Sequence, residues 1–180
     1  MQTYLARPNT TVIAAVRDPS AKSSESLASL PVGEGSKLHM VKLDAAIPTD
    51  AAQAIAHIID LGVTKVDVAI ANAGITGDRS RVDAVQLSEI DHLLQVNTYS
   101  IIVLFQALVK NQLLQAGSKF VLTGSAMGSI EGIDQRPFAD TAYGLSKVAV
   151  HWLSRKIHQE HPDLVVFNLD PGCVSGQRHV

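Results

Sequence analysis

The amino-acid sequence predicts an α/β fold, a doubly wound parallel sheet covered by helices. Three observations carry that prediction. Short apolar, β-branched runs alternate with helical periods about five times along the chain, the order that right-handed crossovers between parallel strands require. Aromatic residues make up only 4% of the chain, so the core must come from Val, Ile, Leu and Ala, which suits strands buried on both faces. Small and polar residues gather directly after the strands, where open sheets of this kind bind their ligands.

The elements follow in order. Residues 11–16 (TVIAAV) form a strand, 21–30 a Ser- and Ala-rich helix, and 31–36, with two glycines, a turn. A second strand covers 38–43 and ends at Asp44. Pro48 opens a helix to Leu61 in which Ala51, Ala54, Ile55, Ile58 and Ile59 share one face, and Gly62 stops it. Residues 66–71 (VDVAIA) are a third strand, followed by Asn72-Ala73-Gly74 and a polar loop. Ser88 reads as the N-cap of a long helix to Gln115, with Gly117 just past its end. The fourth strand is 120–123, and a loop follows to about Asp140. A second long helix, 141–161, stops at Pro162, and a fifth strand, 164–169, breaks at Pro171-Gly172. No repeat, low-complexity tract or linker divides the chain, so 1–180 reads as one domain.

Composition narrows the function classes. A net charge of −2 over 180 residues offers no basic face for a nucleic acid. The N-terminal residues lack the basic, apolar and small-residue order of a secretory signal. The best uninterrupted apolar run, 101–105, falls far short of the roughly 18 residues a membrane span needs. Cys173 is the only cysteine, which rules out an intrachain disulfide. Together these features predict a soluble, cytoplasmic protein. Of the seven histidines, His158 and His161 lie close together, but no carboxylate-and-His spacing of a metal motif accompanies them. No metal site is expected.

The sharpest chemical signal is Tyr143-Gly144-Leu145-Ser146-Lys147. Residues four apart share a helix face, so phenol and ammonium can converge. A free phenol, with a pKa near 10, carries protons poorly at neutral pH. A neighbouring cation favours the phenolate and makes proton transfer efficient. Alone, this spacing equally describes a surface Tyr beside a solvated Lys. Its context is Thr123-Gly124-Ser125-Ala126-Met127-Gly128 after the fourth strand, Asn72-Ala73-Gly74 after the third, Asn97 within Gln95-Val96-Asn97-Thr98, and Pro171-Gly172 followed by Val174 after the fifth. Each has a plainer reading of its own: a turn serine, a helical asparagine bonded to backbone, a loop of small residues, a strand breaker.

Five motifs in this order make the chain resemble the short-chain dehydrogenase/reductase family from about Met1 to its C-terminus, and with it a Rossmann-like fold. The resemblance implies that Tyr143 is the general acid/base, that Lys147 supports it and binds the nicotinamide ribose, that Ser125 holds the substrate oxygen, and that Asn97 positions a water of the proton relay. Asn72, Ala73, Gly74, Tyr143, Lys147, Pro171, Gly172 and Val174 would line the cofactor, and Asp44 would contact its adenine. Arg17 suits the 2′-phosphate of NADP, whereas the adjacent Asp18 suits the free hydroxyl of NAD; NADP is favoured, with NAD second. The 125–143 loop is somewhat long, which makes Ile130, Ile133, Arg136 and Phe138 candidates for substrate contacts, although a solvated loop would look the same. The stretch LARPNTTVIAAVRD resembles the fungal norsolorinic acid ketoreductase-like branch of the family, which implies a small carbonyl or alcohol substrate, a polyketide ketone among them.

Family members begin with a strand and a Thr-Gly-x-x-x-Gly-x-Gly loop ahead of the position where this sequence starts. Residues 2–7 read as the last turn of the helix after that loop. The expectation is therefore an incomplete dinucleotide-binding domain, missing the central first strand, the glycine-rich loop and the last strand. Weak cofactor binding and low stability would follow, because the missing loop supplies the pyrophosphate donors and the missing strand leaves unpaired edges. The alternative function is non-enzymatic, a catalytically inactive fragment acting as a dimerisation or regulatory partner. The complete family fold commonly forms homo-oligomers through the two long helices.

Overall fold

The computed structural model describes residues 1–135, 138 and 140–172. The chain clusters into two compact units, Met1–Thr64 and Lys65–Val180. Both are layered α/β structures with parallel strands, so the predicted fold class holds. Among the described residues the strands form one two-stranded and one three-stranded sheet. Apolar patterning specifies that a strand exists but not which strand it pairs with.

The first unit contains α1 (Gln2–Leu5), β1 (Thr11–Val16), α2 (Lys22–Ala28), β2 (Lys37–Lys42) and α3 (Asp50–Asp60). β1 and β2 pair in parallel from Thr11↔Lys37 to Val16↔Lys42. Ala14 of β1 and Val41 of β2 are buried, as are Ala51, Ala54, Ile55 and Ile58, four of the five residues read from the sequence as the apolar face of α3; Ile59 falls on its exposed side. Asp50, in the first turn of α3, is buried. It accepts the Asp44 amide at 3.0 Å and pairs with Lys42 at 3.4 Å, anchoring the exit of β2 to the helix. Gly62, at φ +85°, ends the unit's last helix as predicted.

The second unit contains β3 (Val68–Ala71), α4 (Leu87–Leu94), α5 (Ser100–Lys110), β4 (Lys119–Thr123), α6 (Thr141–Glu160) and β5 (Val165–Leu169). The strand order is β3-β4-β5, all parallel. Phe120 of β4 is completely buried and packs on Phe105 of α5 with ring centroids 5.0 Å apart; His161 meets Phe105 edge-on at 5.1 Å. Leu93, Leu108, Leu122, Val150 and Ile157 complete an aliphatic core.

The first long helix departs from its prediction in three ways. It begins at Leu87 behind an extended Gln86 rather than at a Ser88 cap, because the Gln86 carbonyl already accepts the Glu89 and Ile90 amides. It ends at Lys110, since Gln112 takes the left-handed conformation at φ +56°. A π turn, Gln95–Tyr99, separates α4 from α5. The whole segment Leu87–Lys110 is long and apolar enough to cross a membrane by length and composition, which its uninterrupted apolar runs do not reveal. It packs on α6, however, and carries the buried polar residues Asn97 and Thr98, as a core helix does.

Candidate active site

The π turn places Asn97 where a regular helix would not. Single π turns inside helices are rare and mark local demands on a side chain. Asn97 is fully buried; its Oδ1 accepts the Ile75 amide at 2.8 Å, and its Nδ2 donates to the Ile75 carbonyl at 3.0 Å and to Ser146 Oγ at 2.9 Å. Thr98 Oγ1 donates to the Ser146 carbonyl at 3.1 Å. The helix bulge thus fastens the loop after β3 to α6. Gly74 lies between them: a methyl group there would sit 3.3 Å from Asn97 Oδ1 and 3.7 Å from Lys147 Nζ.

Tyr143 and Lys147 lie one turn apart on α6, with the Lys147 ammonium 5.6 Å from the centre of the Tyr143 ring. Lys147 is only 4% exposed, and its Nζ donates to the Thr123 carbonyl at 2.8 Å. Burial pushes the lysine pKa below its ordinary range, and the carboxylate of Asp170 partly offsets this. One donor of the ammonium is spent on β4, leaving two for other partners.

Ser125 leaves β4 in an extended conformation and caps the short 3₁₀ turn Ala126–Gly128, its Oγ accepting the Met127 amide at 3.2 Å. His151 Nε2 accepts the Ser125 amide at 3.3 Å, and Asp170 accepts the Ala126 amide at 2.9 Å and the Gly172 amide at 3.0 Å. Thr123 Oγ1 donates to Asn72 Oδ1 at 3.3 Å. The exits of β3, β4 and β5 are therefore cross-linked to one another and to α6. The structure brings together Asn97, Gly74 and Lys147, sets Tyr143 beside Lys147, and ties Ser125 to the same helix through His151.

Other predicted residues lie elsewhere. Arg17 is exposed and has no ion-pair partner among the described residues, whereas Asp18 is committed to its own turn, accepting the Ser20 amide and hydroxyl at 2.8 and 2.6 Å. Those Ser20 hydrogen bonds hold the Asp18 carboxyl below its usual range. Asp44 accepts the Ala46 amide at 2.9 Å. Asn72, Ala73, Pro171 and Gly172 are exposed at strand exits. Ile130, Ile133 and Phe138 are exposed on the loop before α6, with the Arg79 guanidinium 5.9 Å from the Phe138 ring; Val174 and Arg136 lie outside the described residues. Among the described residues no group of three or more His, Cys, Asp or Glu could hold a metal ion.

Sequence reasoning missed His151 and Asp170. Tyr143, Lys147 and His151 are spaced i, i+4, i+8, so one helix face already carried the first signal. Asp170 directly precedes Pro171-Gly172, where an acceptor for the amides of a turn is common.

Parallel α/β units with small and polar residues at the strand exits, and with a buried lysine and a tyrosine on one helix face beside them, are the arrangement of the dinucleotide-binding fold class. The short chain dehydrogenase family model matches residues 2–179, and the chain belongs to that family. It is 39% identical to the norsolorinic acid ketoreductase of Dothistroma septosporum over 95% of this chain and 65% of the relative. It is 37% identical to that of Emericella nidulans over 97% of this chain and 66% of the relative. The chain thus spans about two thirds of the length of these relatives. An NADPH-bound carbonyl reductase from chicken fatty liver superposes with a TM-score of 0.81 at 21% identity, covering 98% of this chain and 74% of that one. At that identity the likeness concerns the fold.

Proposed function

We propose that this protein is an NADP(H)-dependent, cytoplasmic oxidoreductase that reduces the carbonyl of a small molecule, a polyketide ketone by preference, to an alcohol. The observation that carries this reading is the approach of the Lys147 ammonium to the Tyr143 ring, 5.6 Å from its centre, beside the loop of Asn72, Ala73 and Gly74. The residues suit a nicotinamide cofactor: Lys147 keeps two donors for vicinal ribose hydroxyls, and Gly74 leaves open the space a side chain would fill next to it. In the first unit, Arg17 has no ion-pair partner among the described residues and is fit for a 2′-phosphate, while Asp18 is consumed by Ser20. That contrast favours NADP over NAD, with Asp44 on the adenine side. Pro171 and Gly172 would line the cofactor from the exit of β5, and Val174, outside the described residues, is assigned to the cofactor on its place in the sequence.

When bound, the nicotinamide supplies the hydride. The Ser125 hydroxyl donates to the substrate carbonyl oxygen and orients it. Tyr143 gives its phenolic proton to the oxygen as negative charge develops there, and the Lys147 ammonium stabilises the phenolate left behind. Asn97 holds the helix bulge and, through it, a water that returns a proton towards Lys147. Ile130, Ile133 and Phe138, exposed on the loop before α6, offer apolar contacts to an aromatic substrate, and Arg136 of the same loop is the remaining candidate contact. Pairing through α4–α5 and α6, where Trp152 is 66% exposed, would make the protein a homo-oligomer.

The test is isotopic. Incubation with millimolar NADPH carrying deuterium at the transferable C4 position and a panel of aromatic ketones is expected to yield alcohols deuterated at the carbinol carbon, read by mass spectrometry. Absence of label in every alcohol overturns the proposal.

A further inference from the structure

The residue that fixes the backbone of Ser125 lies on α6, two turns beyond Tyr143. The His151 ring braces the segment after β4: its Nε2 accepts the Ser125 amide at 3.3 Å. Accepting there defines the neutral tautomer, with the proton on Nδ1 and the Nε2 lone pair directed at the amide. The close fit depends on the neighbouring glycine, since a methyl group on Gly124 would lie 2.8 Å from His151 Nε2 and 3.3 Å from Asn168 Cβ. Two charged groups face the imidazole among the described residues, Lys147 from its own helix and Asp170 from the end of β5. Asp170 itself accepts the amide of Ala126, the next residue along.

We propose that His151 is a positioning residue: its neutral imidazole, accepting the Ser125 amide, sets the backbone that presents the Ser125 hydroxyl, and protonation of Nε2 releases it. A protonated Nε2 would direct an N–H at the Ser125 N–H, two donors with no acceptor between them, and would add a second positive charge beside Lys147. Burial, and after it the Lys147 charge, lower the histidine pKa; Asp170 and the Gly128 backbone oppose them. The neutral form therefore persists to a lower pH than for an ordinary histidine, and the serine segment loosens below that point. The catalytic consequence rests on the reductase reading above, whereas the hydrogen bond itself does not.

Two readouts separate the two claims. In the full chain, nitrogen-15 NMR is expected to give His151 as the Nδ1–H tautomer, with the Ser125 amide resonance titrating together with the His151 ring. In His151→Gln, whose side-chain carbonyl can accept the same amide without titrating, the Ser125 resonance is expected to stay flat through that pH range. An Nε2–H tautomer, or a Ser125 amide indifferent to His151 protonation, overturns the proposal whether or not the protein reduces ketones. In the carbonyl assay, His151→Leu is expected to lower kcat about tenfold with cofactor KM unchanged. His151→Gln is expected to restore most of kcat and remove the acid limb that His151 imposes. Equal kcat and identical acid limbs in all three proteins also overturn it. If the NMR titration holds and no ketone is reduced, the brace stands and the reductase reading falls.

Discussion

Lys147 donates a 2.8 Å hydrogen bond from Nζ to the carbonyl of Thr123, so the last residue of β4 holds the ammonium in place beside Tyr143. A lysine with 4% of its surface exposed gives up most of its hydration to sit there, and one carbonyl does not replace it. Such a position costs stability and is kept where the charge has work to do.

Replacing that lysine separates the two effects. Lys147→Met keeps most of the apolar stem and removes the buried charge, so stability at neutral pH should change by no more than about 1 kcal/mol, while carbonyl reduction falls roughly a hundredfold. The pH dependence has a definite sign. The folded-state pKa lies below the ordinary value of 10.5, so between these two values the unfolded chain binds the proton more tightly. Stability contributed at this site therefore rises with pH across that window. Urea midpoints measured from neutral pH to about 10.5 should show this rise in the parent protein and a smaller one in Lys147→Met.

Asn97 makes the opposite kind of prediction, structural before catalytic. Asn97→Ala leaves the amide and carbonyl of Ile75 without their partner and removes a donor to Ser146. The cost should be about 2 kcal/mol, read as a lower denaturation midpoint at unchanged slope. Asn97→Asp should recover only part, because a carboxylate accepts the Ile75 amide but cannot donate to its carbonyl.

Arg17 reports on cofactor choice. With Asp18 held by Ser20, Arg17→Gln should weaken NADPH binding about tenfold or more, the loss expected for a charge-assisted contact to phosphate, and leave NADH binding unchanged. Fluorescence titration with each cofactor distinguishes this from a general loss of affinity.

Much of this was legible in the sequence, for identifiable reasons. The apolar face of α3, the strand at 11–16 and the convergence of Tyr143 with Lys147 follow from periodicity, which local residues carry by themselves. The π turn was not legible: Asn97 signals a weak point in a helix, but the extra residue exists only because Ile75 and Ser146 are there to bond it. His151 escaped notice for a related reason. A histidine in a helix acquires a role only through what packs against it, here the amide of Ser125, 26 residues away.

The most direct test of the central claim is the phenol itself. Tyr143→Phe removes one oxygen and leaves Lys147 bonded to Thr123, so NADPH affinity should be unchanged while ketone reduction falls by about 10² to 10⁴, measured side by side on parent and variant. A Tyr143→Phe protein that binds NADPH equally well and still reduces the same ketone within a few-fold of the parental rate would contradict the assignment of Tyr143 as the proton donor.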